Sequence, residues 1–138
     1  MSNLQINTGY VTYTLNDAIE IRINPTDAGF VKKIFKVFEI LDSKQEEYKV
    51  TLSKAKPAEI FDICDRLDSE MREIIDELFG APVCAALFGD MNVYAMADGL
   101  PVWCNLLLAI IDETEVGFAK EEKRMNSRIA KYTAKYHK

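Results

Sequence analysis

A mainly helical domain behind an N-terminal β hairpin is what three features of this 138-residue chain predict. The apolar period changes from two to about 3.6 residues around positions 24–27. Proline or glycine then punctuates the later boundaries, at Pro57, Gly80, Pro82, Gly89 and Pro101. Repeated strand–helix units are missing, which excludes a doubly wound α/β fold.

The hairpin is expected near residues 10–24. Val11, Tyr13 and Leu15 alternate with Thr12 and Thr14, and Ile19, Ile21 and Ile23 with Glu20 and Arg22. That is the pattern of half-buried strands. Asn16-Asp17 supplies the turn. Leu4 and Ile6, ahead of Asn7-Thr8-Gly9, offer a third short strand.

Four principal helices are expected near residues 27–48, 57–79, 82–88 and 101–135. Thr26 or Asp27 caps the first, because a side-chain oxygen there can accept from a free amide of the first turn. Its charged end, residues 42–49, is expected to project or fray. Gly80 suits the left-handed position after the second helix. The third is apolar nearly all round and reads as central. Residues 90–99 read as a connector, and beyond Asp112 the fourth helix either continues or kinks at Gly117. The expected core contains Phe35, Phe38, Phe61, Cys64, Leu67, Ile74, Leu87, Phe88, Trp103, Leu107 and Ile110.

Charge divides the chain. All 22 acids lie in the first 122 residues, which carry a net charge of −11, against −5 for the whole chain. Residues 123–138 hold six bases and no acid. The resulting organisation is a hairpin arm (1–24), a helical core (25–122) and a basic amphipathic helical tail (123–138). In the tail, Met125, Ile129, Tyr132 and Tyr136 recur at steps of four, three and four residues, among Lys123, Arg124, Arg128, Lys131 and Lys135. Three uses suit such a tail: a solvated end, a helix docking on protein, or an arm on phosphate backbones or anionic membrane. The acidic body repels nucleic acid, so partner docking is the expectation, with no nucleic acid and no membrane as partner. The nine tail residues just named are the candidate partner-binding set.

Enzyme chemistry finds little to use. The one histidine is His137, and no serine sits in a nucleophile-elbow pattern. Asp62, Asp65 and Asp68 share a helix face, which is the pattern of a carboxylate metal site, but Arg66 and Arg72 lie among them. The simpler reading is a solvated helix face. No glycine-rich phosphate loop appears. Cys64, Cys84 and Cys104 lack metal-cluster spacing and read as reduced core residues, which fits the cytoplasm. No catalytic, cofactor or metal residue is expected. Residues 1–9 lack the pattern of a secretory leader, and no apolar run reaches membrane-spanning length.

The order of elements resembles a known family. Glu20-Ile-Arg-Ile-Asn-Pro-Thr-Asp27 leads into the first helix, and Met71-Arg-Glu-Ile-Ile-Asp-Glu-Leu-Phe-Gly80 closes the second. Leu87-Phe-Gly-Asp90 and Arg128-Ile-Ala-Lys-Tyr-Thr-Ala-Lys-Tyr136 follow. Together they look like the small tail assembly chaperones of long-tailed bacteriophages, and prophages, of Gram-positive bacteria. The resemblance implies a non-enzymatic protein of the host cytoplasm, absent from the mature virion. It would oligomerise and coat the tape measure protein before tail-tube subunits polymerise. The gene is often read in two forms, one extended by a frameshift, and this chain would match the short form or a fragment without the extension. It implies no catalytic residues. A small virion component, such as a head–tail connector or tail-completion protein, is the competing class, and a carboxylate-metal enzyme the third.

Overall fold

The structure, a computed structural model, describes residues 1–136, and all their side chains except those of Tyr132, Thr133, Lys135 and Tyr136. Its hairpin pairs β1 (Val11–Leu15) with β2 (Ile19–Ile23) antiparallel, Val11 opposite Ile23 and Leu15 opposite Ile19. Asn16 and Asp17 turn the chain at φ 51° and 53°, the left-handed region that asparagine and aspartate enter most readily after glycine. Alternation places Ile21 and Ile23 in the core and Glu20 and Arg22 in water. Residues 1–10 form no strand, and Leu4 and Ile6 are exposed, so the third strand is not there. Instead, Asn24 Nδ2 ties the arm down by donating to the Thr8 carbonyl at 2.9 Å.

Helix α1 (Ala28–Ser53) starts at Asp27, whose side chain accepts from the Gly29 amide. It runs past the expected end and stays packed. Lys44 Nζ and the Tyr48 hydroxyl both donate to Glu70 Oε2 on α2 (Ile60–Phe79), at 2.9 and 2.8 Å. A single 3-10 turn (Pro57–Glu59) leads into α2, and Gly80 ends it at φ 63°. Helix α3 (Val83–Phe88) buries Val83 and Cys84 but exposes Ala85 and Ala86, so it covers the core from one side rather than crossing it.

The connector is a built element. Met96–Ala97 (β3) and Leu100–Pro101 (β4) pair as a small hairpin around Asp98-Gly99, both at positive φ. Asp-Gly is a strong signal for such a two-residue turn. Asp68 holds the segment before it, accepting from the Val93 amide at 2.7 Å and from Arg72 Nε at 2.9 Å. Arg72 donates onward to the Gly89 and Met91 carbonyls. Val93 is thereby placed fully inside.

Helix α4 (Val102–Tyr136) is continuous through Gly117. Gly117 is a packing position. A Cβ there would meet the Pro25 ring at 2.8 Å, so the missing side chain lets α4 cross the β2–α1 turn.

The core is centred on Trp103, Ile34, Leu41, Met71, Ile75 and Leu107. Phe38 meets Trp103 edge-on at 5.0 Å, and Trp103 Nε1 donates to Gln45 Oε1. Of the expected core, Leu67, Trp103, Leu107 and Ile110 are buried, and Phe38, Cys64, Ile74, Leu87 and Phe88 are half-buried. Phe35 and Phe61 are not core: they are 51% and 80% exposed. Phe35 sits one residue past Ile34 on the buried Ile34–Leu41 line of α1, and Phe61 two residues before Ile63, where the buried Ile63–Leu67–Met71–Ile75 line of α2 begins.

Candidate functional site: the free end of helix α4

Gly117 is the last buried residue of α4 among those described. From there the helix runs on to Tyr136, about 28 Å at 1.5 Å per residue. Its exposed side is not uniformly polar. Phe118, Met125 and Ile129 are all exposed and follow steps of seven and four, so they share a face. Lys120, Arg124, Arg128 and Lys131 form a second line, about a third of a turn round the helix. An apolar seam thus runs beside a basic stripe.

Of the expected partner-binding residues, Lys123, Arg124, Met125, Arg128, Ile129 and Lys131 are exposed on α4. Tyr132, Lys135 and Tyr136 lie within the helix, but their side chains are outside the described residues, as are His137 and Lys138 altogether. The seam also begins earlier than expected, at Phe118. Its spacing to Met125 is visible in the sequence, but the change of charge sign drew the boundary at Lys123 instead.

Lys120, Arg124 and Arg128 of the basic stripe line one wall of a groove of about 800 Å³. Asn7, Thr8 and Gly9 of the arm, with Asn24 and Pro25, form the opposite wall. Asn24 builds that wall: Oδ1 accepts from the Thr26 amide at 2.8 Å and the Thr26 hydroxyl at 2.7 Å, while Nδ2 reaches Thr8. Glu113 and Tyr13 close the inner end. Burial, then the Glu113 charge and hydrogen bond, push the Tyr13 phenol above its ordinary value. The arm's place in this groove was not legible from residues 1–9, because one side-chain amide sets it.

A second, more apolar groove of about 450 Å³ lies between the hairpin turn, α3 and the start of α4. Leu15, Leu87, Phe88, Met91 and Leu106 line it.

The other candidates resolve into structure. Asp68 and Asp76 hold backbone, the latter accepting from the Cys84 amide at 3.0 Å. Among the described residues no group of three or more histidine, cysteine or acidic side chains converges as a metal site would require. All three cysteines are free. Cys84 and Cys104 are buried, and burial pushes their thiols up to about 12 and about 11, whereas Cys64 is only half-buried. Among the described residues no helix is long and apolar enough to cross a membrane.

No protein-family model, characterised protein or solved structure matches this chain. The surface of α4 is therefore the ground for a functional reading.

Proposed function

We propose that this protein is a non-enzymatic tail assembly chaperone of a long-tailed phage or prophage. In this reading it self-associates, works in the host cytoplasm and holds the tape measure protein along the end of α4. The supporting observation is the exposed Phe118–Met125–Ile129 seam beside a line of bases, on a helix segment the core does not cover. An apolar seam on an exposed helix is suited to another amphipathic helix. The flanking bases suit a client segment carrying acids, and would speed its capture and set its register. The sequence resemblance supplies the identity of the client.

The test is a pull-down from cells producing the phage that encodes the protein, with mass spectrometry of the recovered proteins and of purified virions. Recovery of the tape measure protein, with the chaperone absent from virions, is the expected result. Recovery of capsid or portal proteins, or the protein's presence in virions, would make it a virion component instead.

A further inference from the structure

We infer that the free end of α4 pairs with the same segment of a second copy, antiparallel, with the two-fold axis passing between Lys123 and Met125. The inference rests on the self-association in the reading above and not on the identity of the client. Its ground is the order of charge along one exposed helix. Residues 112–123 carry five acids, Asp112, Glu113, Glu115, Glu121 and Glu122, against Lys120 and Lys123, and residues 124–136 carry four bases and no acid. Glu121, Glu122, Arg124, Arg128 and Lys131 are exposed. A parallel pair would lay acids on acids and bases on bases. An antiparallel pair lays each acidic half on the other copy's basic half.

The seam agrees with the charges on one register. Phe118, Met125 and Ile129 occupy positions that a two-helix seam fills with apolar side chains. Set antiparallel, Ile129 of one copy packs on Phe118 of the other, and each Met125 lies opposite Glu122 of the second copy, on either side of the axis. The same offset places Glu121, which flanks the seam, opposite Arg128 of the second copy. Two-fold symmetry makes that pair twice. Glu121 already meets Arg124 of its own chain at 2.9 Å, but that pair is more than half exposed and is readily exchanged. Glu122 falls on the seam itself, where a polar side chain fixes register and weakens the pair. A pair weak enough to open is compatible with a surface that also serves a client.

Charge exchange tests it on the purified full chain by sedimentation across a concentration series. Glu121→Arg sets arginine against Arg128 in a homodimer, and Arg128→Glu sets glutamate against Glu121. Each variant alone is expected to dimerise about tenfold more weakly than the native chain. An equimolar mixture restores both attractive pairs and is expected to return to native affinity as a heterodimer. Both positions are exposed, so unchanged helicity by circular dichroism confirms that folding is intact. Single variants that associate like the native chain, or a mixture that stays weak, would overturn the antiparallel register while leaving self-association standing. A native chain that sediments as a monomer throughout would overturn both. Neither outcome touches client binding, which the pull-down reads separately.

Discussion

Trp103 and Phe61 show how one position on a helix decides what an aromatic ring is worth. Trp103 is enclosed, packed on Phe38 and hydrogen-bonded to Gln45. Phe61 is at the surface despite its place in an amphipathic helix. Trp103→Ala is expected to destabilise by about 3–5 kcal/mol in chemical denaturation, through lost burial and the cavity left behind. Phe61→Ala is expected to change stability by less than about 0.5 kcal/mol, as surface substitutions do. The cysteines differ in the same way. The raised thiol of Cys84 holds little thiolate at neutral pH and is enclosed. Native-state alkylation should therefore reach Cys64 first and Cys84 only on unfolding, as peptide mass mapping over time would show. Gly117 is valuable for the atoms it lacks. Alanine is the better helix former by about 1 kcal/mol, yet here its Cβ would press on the Pro25 ring. Gly117→Ala is thus expected to lower the midpoint of thermal unfolding, where an ordinary helical glycine would raise it.

The elements were more legible than their faces. Alternation in residues 11–23 and the breaks at Pro57, Gly80 and Pro101 are local signals, and the structure follows them. The connector hairpin was also written locally, in Asp98-Gly99. Which side of α1 and α2 is buried was harder. Apolar residues cover more than one stripe, and only the neighbours that α1 meets decide between Ile34 and Phe35. The same holds for the end of α1, whose charged residues look solvated in sequence. Lys44 and Tyr48 are instead tied to Glu70 across the helix pair. Hydrogen bonds from Lys44 and then Tyr48 hold the Glu70 carboxyl below its ordinary value. A depressed acid stabilises the fold above its unfolded pKa, and that stabilisation disappears as pH falls through the lower folded value. Glu70→Gln should therefore narrow the stability gap to the native protein in the acid limb of a pH–denaturation series. The effect is expected to be small, because the glutamate side chain is 38% exposed and solvent screens the pair.

At the scale of the whole molecule, one helix spans two environments. Val102, Trp103, Cys104, Leu106, Leu107, Ile110 and Ile111 of α4 are buried, and everything described beyond Gly117 lies on the surface. The candidate site was partly readable, because the bases and the four-residue step from Met125 to Ile129 are sequence features. Its extension to Phe118 shows in the seven-residue spacing to Met125, whereas the groove against the arm is tertiary, set by Gly117 on Pro25 and by Asn24 on Thr8. The end of α4 is expected to bind partners and to be dispensable for folding. The most direct measurement compares the full chain with a chain ending at residue 122, both used as bait in cells producing the phage. The truncated protein should unfold cooperatively, like the full chain, yet recover no tape measure protein, while the full chain recovers it. Equal recovery by both folded baits would contradict the claim.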